Sequence, residues 1–211
     1  LEKEDKLPGD VSYKITYRIL KNKNEFTIFF NATSNKDTIV NLTNHTYFNL
    51  IGNGTDSILN HKLKLNCDKY TNLNNELITT SIDKVNKVMD FQRPHIIGKY
   101  IEDESLQNHK AFGYDHCFIK KDLAKEEITI LSCSKSKRKL TIKTSYPSIV
   151  IYTCNYPKDF KFNPLIIDNM KYHAICRECQ FIPNGINMDN VNKAILKKDE
   201  KYEQYINYKF D

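Results

Sequence analysis

The sequence predicts an all-β fold, on three observations. Short segments alternate apolar and polar residues at period two, asparagine-, glycine- and proline-rich turns separate them, and no segment carries a long amphipathic helical stripe. Many short strands divided by such turns favour a sandwich or a barrel.

The elements follow in order. Residues 11–20 (VSYKITYRIL) place Val11, Tyr13, Ile15, Tyr17 and Ile19 on one face, the pattern of a half-buried strand. Residues 25–33 repeat it with Phe26, Ile28, Phe30 and Ala32, and the intervening KNKN is a turn, which predicts a hairpin. Further strands are predicted over 38–43, 61–66, 116–119, 127–133, 140–145, 149–154 and 172–181, with 203–210 as a closing strand. Residues 68–107, broken by Pro94 and Gly98, read as a long loop of the kind that carries function or disorder. With no repeat and no clean linker, residues 1–211 are expected to form one domain.

Composition narrows the function classes. Hydrophobic residues make up 40% of the chain, enough for a globular core. Its 32 basic and 26 acidic residues are interleaved, without the concentrated basic face of a nucleic-acid binder. The densest basic run, residues 135–143 (KSKRKLTIK), reads as a turn and a solvated edge. No apolar stretch is long enough to span a membrane as a helix. LEKEDKLPGD at the start lacks a signal core and an initiating methionine, so the chain reads as a piece of something longer. Six dispersed cysteines suit reduced, partly buried thiols in a cytoplasmic protein. Glycosylation sequons at Asn31, Asn41, Asn44 and Asn53 carry little weight in so asparagine-rich a chain.

Three residues stand out chemically. His45 is centred in NLTNHTYFNL (residues 41–50), where Thr43, Tyr47 and Asn49 would share its face in an extended segment. It reads equally as a proton-transferring group lining a cleft or as a satisfied loop histidine. Asp115, at a strand entrance in GYDH, is either a turn residue or a group that orients a hydroxyl or an imidazole. Glu178 alternates with Ala174, Cys176 and Gln180 on one face of YHAICRECQF. Shielded there it would be a usable general base; turned outward it would be structural. Cys176 and Cys179 have C-x-x-C spacing, but no second ligand pair is at hand, and positions three apart on a strand face opposite ways. His109 and His116 give only a weak metal signal, and no phosphate loop occurs.

Together these segments resemble the aldose 1-epimerase (galactose mutarotase) family. The resemblance runs from about Pro8 to Phe210, over roughly the C-terminal two-thirds of a typical member. It is carried by NLTNHTYFNLIG, MDFQRPHIIG, FGYDHCF, KRKLTIKTSYPSIVIYTCN, ECQFIPN and KYEQYINYKF, in that order. It implies a galactose mutarotase-like β-sandwich lacking its N-terminal strands, which interconverts the α and β anomers of free aldohexoses such as glucose and galactose. By position, His45 resembles the acid that protonates the ring oxygen and Glu178 the base that deprotonates the anomeric hydroxyl. Asp115 resembles the carboxylate that binds sugar hydroxyls, and Asn44 would help hold the cleft strand and so contribute to substrate binding. The resemblance implies no cofactor and no metal, and a free aldose as the partner. Neither nucleic acid nor membrane is expected, and the chain would be a cytoplasmic monomer or weak homodimer. It departs from the family at Val150, where a glutamine is usual, and at Cys179 and Cys154, where threonine and glycine are usual. The family's upstream arginine and second histidine have no counterpart. A sugar-binding or interaction module without turnover, on the same scaffold, is the alternative.

Overall fold

The computed structural model describes residues 7–52, 56–107, 110–157 and 170–211. Its strands, in chain order, are β1 (Val11–Ile19), β2 (Glu25–Ser34), β3 (Thr38–Ile39), β4 (Tyr47–Phe48), β5 (Lys62–Leu65), β6 (Cys67–Leu73), β7 (Thr79–Lys84) and β8 (His95–Ile96). There follow β9 (Asp115–Lys120), β10 (Glu127–Ser132), β11 (Lys139–Thr144), β12 (Ser148–Tyr152), β13 (Ile175–Gln180), β14 (Ile195–Leu196) and β15 (Tyr202–Phe210). A single turn of α-helix, α1 (Glu104–Gln107), precedes β9. Seven strands form one sheet in the order β1-β2-β15-β11-β10-β5-β8, and six form a second, β4-β13-β12-β9-β6-β7. The all-β architecture is the one the alternation predicts.

The period-two pattern explains the layers. From the first sheet Ile28, Phe30, Leu63, Leu131, Ile142 and Ile206 point inward, and from the second Ile149, Ile151, Ile175 and Cys179 meet them in one buried cluster. At the usual ~25 cal/mol per Å² of apolar surface, each such side chain contributes roughly 1.5–3 kcal/mol. Tyr146, fully buried between the sheets, donates to the Leu42 carbonyl at 2.6 Å and accepts from the Tyr202 hydroxyl at 2.7 Å. Those bonds tie the segment that carries His45 to the core. One core position is chemically odd. Arg177, 1% exposed, donates from Nη1 to the Leu140 carbonyl at 3.2 Å, while its Nε and Nη2 have no partner among the described residues. Its guanidinium lies 5.2 Å from the centre of the Phe48 ring.

Four expectations need correction. Residues 68–107 hold β7, β8, α1 and most of β6 rather than one loop. β7 pairs with β6 through a register shift and carries a largely exposed polar face, which hides its period from sequence. Residues 38–43 give only the two-residue β3, because the chain then leaves the sheet for side-chain anchors. Residues 135–143 form the predicted turn, but β11 is an interior strand between β10 and β15, not an edge. β1 does pair with β2 as the predicted hairpin, yet Tyr13, Ile15, Tyr17 and Ile19 are exposed. β1 is the edge strand of its sheet, and its apolar row extends beyond the described core. All six cysteines are buried free thiols. The Asn53 sequon and His109 lie outside the described residues.

Candidate active site

The site is built on β13, which is interior to the six-stranded sheet. Alternation sends Ile175 and Cys179 to the core cluster and turns Cys176, Glu178 and Gln180 to the opposite face. Register then assembles that face. Val150 on β12 lies opposite both Glu178 and Cys117, and Tyr152 lies opposite both Cys176 and Asp115. Asp115 and Cys176 therefore flank Tyr152, one strand to either side.

Residues 41–50 are laid across this floor by local anchors. The Asn41 side chain accepts from the Phe181 amide at 2.9 Å and donates to its carbonyl at 3.0 Å. The Thr43 hydroxyl donates to the Cys179 carbonyl at 2.8 Å, and β4 adds to β13 with Tyr47 opposite Cys176. Between these fixed points His45 projects over the sheet, its Nε2 3.2 Å from Glu178 Oε1. The His45 side chain is 51% exposed and that of Glu178 only 10%, so one member is solvent-facing and the other is held in the floor. Tyr47 and Tyr152 stand beside the imidazole, with ring centres 5.1 and 6.3 Å away.

Burial lifts the Glu178 carboxyl to about 7; His45 opposes the shift, and the negative charge of Asp115 adds to it. Burial also raises Asp115, against a hydrogen bond that the Tyr156 hydroxyl donates to its Oδ2 at 2.5 Å and against the charge of His45. The approach to β9 requires Gly113. Its φ of +149° disfavours side chains, and a Cβ there would run into the Asn155 side chain.

The structure thus brings His45, Glu178 and Asp115 to one face of one sheet. Asn44 goes elsewhere: its Oδ1 accepts from the Thr46 hydroxyl at 2.6 Å and from Tyr208, whose ring belongs to the core, at 3.1 Å. Sequence reasoning missed Tyr152 and Tyr156. Tyr152 was legible from the register of a buried strand, but Tyr156 lies beyond the strand end and had no periodic signal. In sequence Cys176 shows only a place on the Glu178 face and a C-x-x-C spacing with Cys179. The Cys176 thiol, His45 and Glu178 offer three ligand atoms all within 4.8 Å of one another.

The sequence model of the family described as aldose 1-epimerase matches residues 1–209. The chain belongs to the aldose 1-epimerase family. It is 33% identical to an aldose 1-epimerase of Haemophilus influenzae, over 96% of this chain and 60% of that protein. It is 28% identical to the galactose mutarotase of Mus musculus, over 98% of this chain and 59% of that one. The structure superposes on a GalM/aldose epimerase homologue from C. elegans with a TM-score of 0.82 at 25% identity, covering 100% of this chain and 62% of the other. It superposes on a galactose 1-epimerase from Lactobacillus acidophilus with a TM-score of 0.77 at 26% identity, covering 97% and 58%. These likenesses establish the galactose mutarotase-like β-sandwich. The chain spans about three-fifths of the length of the aldose 1-epimerase relatives it matches. Among the described residues, no helix is long and apolar enough to cross a membrane.

Proposed function

We propose that this chain carries the acid–base centre of an aldose 1-epimerase acting on free aldohexoses of the glucose and galactose type. The observation that supports this most is the contact of His45 Nε2 with Glu178 Oε1 at 3.2 Å above a floor that also holds Asp115. Opening a hemiacetal ring removes a proton from the anomeric hydroxyl and delivers one to the ring oxygen. Both oxygens are bonded to the same carbon, so an acid and a base standing side by side suit the reaction. Glu178 as carboxylate takes the hydroxyl proton, and His45 as imidazolium protonates the ring oxygen. The C1–O5 bond breaks and the aldehyde forms. Rotation about C1–C2 presents its other face. On closure His45 takes the proton back from the attacking hydroxyl and Glu178 returns its own to the new anomeric oxygen, so both groups are reset. Asp115, held by Tyr156, accepts hydrogen bonds from sugar hydroxyls, and the Tyr47 and Tyr152 rings offer apolar faces to the sugar's C–H groups. Asn44 acts through position, fixing the segment that carries His45.

Val150 gives some support to a second reading, sugar binding without turnover, because it makes the floor beside Glu178 apolar. Polarimetry of freshly dissolved α-D-glucose and α-D-galactose separates the two. The 211-residue chain should accelerate mutarotation, and Glu178→Gln should lower that acceleration by about 10²–10⁴-fold with its circular dichroism unchanged. A wild-type rate equal to the buffer rate would refute the enzyme reading, and an unimpaired Glu178→Gln would remove Glu178 as the base.

A further inference from the structure

We infer that His45, Cys176 and Glu178 form a binding site for one thiophilic divalent cation of the zinc class, and that an ion seated there blocks the acid–base pair. The block rests on the epimerase reading above; the site itself does not.

The geometry comes first. One nitrogen, one sulfur and one carboxylate oxygen converge with every pair within 4.8 Å. Zinc-class bonds of about 2.0–2.3 Å place tetrahedral ligands roughly 3.5 Å apart, so closure asks for movements of about 1 Å. The frame can supply them. Cys176 and Glu178 lie two residues apart on the same face of an interior strand, 0% and 8% exposed, and so are held relative to each other. His45 has the half-exposed side chain and is the partner free to adjust. Three protein ligands leave the fourth position for water on the open side.

The donor set selects the ion. A thiol, an imidazole and one carboxylate suit zinc, cobalt(II) or cadmium; magnesium and calcium prefer all-oxygen shells. Binding expels the Cys176 proton, and the Glu178 proton where it is present. Thiolate and carboxylate then balance the dication, which suits a buried floor. The Tyr47 hydroxyl, hydrogen-bonded to Cys176, would orient the sulfur. Cys179 takes no part, since it lies in the core cluster on the other side of the sheet. The ligating cysteine is therefore recruited by cross-strand geometry, and the C-x-x-C spacing is incidental.

Cobalt(II) chloride titrated into the chelator-stripped 211-residue chain tests the site by near-ultraviolet and visible absorption. We expect one equivalent to bind, with a thiolate-to-cobalt charge-transfer band and the intense visible bands of tetrahedral cobalt. Cys176→Ser should abolish the charge-transfer band and weaken binding by about tenfold or more, and Cys154→Ser should preserve both. His45→Ala, a change at an exposed side chain, should weaken binding similarly and guards against misfolding of the cysteine variant. Absence of one-to-one binding, or a charge-transfer band that survives Cys176→Ser, would overturn the site. With sugar, zinc should inhibit mutarotation reversibly to chelator, and Cys176→Ser should raise the half-inhibitory concentration by about tenfold or more. Inhibition indifferent to Cys176→Ser would overturn the block. A cobalt spectrum as expected in a chain without mutarotation would refute the epimerase reading and leave the site standing.

Discussion

Replacing Arg177 with methionine should stabilise this protein, although it deletes a hydrogen bond and a charge. Arg177 is 1% exposed and spans from the six-stranded sheet to the Leu140 carbonyl, with two of its nitrogens unpartnered among the described residues. Burial lowers its guanidinium from 12.5 to about 10. At about 1.4 kcal/mol per unit, holding that charge in the core costs on the order of 3 kcal/mol. Methionine of similar length removes the cost and keeps most of the packing against Phe48. It forfeits a cation–π contact of about 0.5–2 kcal/mol and leaves the Leu140 carbonyl short of one donor, at about 1–3 kcal/mol. Its sulfur and terminal methyl add about 1 kcal/mol of apolar burial beyond the stem that Arg177 already buries. The balance is a gain of about 1 kcal/mol, in line with the general behaviour of buried charges replaced by apolar groups. For a chain of this size, that is a rise in melting temperature of roughly 2–4 °C. Urea denaturation followed by tyrosine fluorescence and far-ultraviolet circular dichroism measures it, with the slope checked for constancy. A destabilisation of about 1 kcal/mol or more would refute the reasoning and show that the guanidinium is better solvated than its surroundings indicate.

Three further outcomes follow from the same geometry. With Glu178 raised to about 7, mutarotation in chelator-treated buffer should fall about tenfold per unit as pH drops below that value. A rate flat from pH 5 to 8 would exclude Glu178 as the base. The same raised value means the folded state holds the Glu178 proton more tightly than the unfolded chain does. Its contribution to stability is therefore full below about 4.5 and is lost as pH rises through about 7, so wild type minus Glu178→Gln stability should fall across that window. Tyr156→Phe removes the hydroxyl that donates to Asp115. It should raise KM for galactose several-fold, on the ~1–1.5 kcal/mol scale of one hydrogen bond, with kcat much less affected. An unchanged KM would detach Asp115 from sugar binding.

Sequence was most informative where one face of a strand is wet. β2 and β15 follow their alternation closely, because Phe26, Ile28 and Phe30, and Ile206 and Tyr208, share the core face while Thr27, Asn31, Asn207 and Lys209 interleave, Phe29 being the apolar exception. It was least informative where tertiary anchors replace ladders. Residues 41–46 are fixed by Asn41, Thr43 and Tyr146 side chains, which no period encodes. β7 escaped notice because polar residues occupy most of both its faces. At the site, alternation did place Glu178 and Cys176 together. It could not show that His45, far off in sequence, lies over them, nor that Tyr156 reaches Asp115. Arg177 was invisible for the opposite reason: a charged residue in a strand reads as outward, and only the fixed register of β13 turns it in.

That register couples chemistry to folding by parity. Along β13 the even-numbered positions face the candidate site, and the odd-numbered positions face the core. A slip of one residue would turn Arg177 onto the candidate-site face and bury Glu178 among the leucines and isoleucines, emptying the one and poisoning the other together. Insertions or deletions of a single residue within β13 should be excluded from functional variants. In a random-insertion library, the loops that lead into and out of the strand should absorb length changes that the strand itself does not.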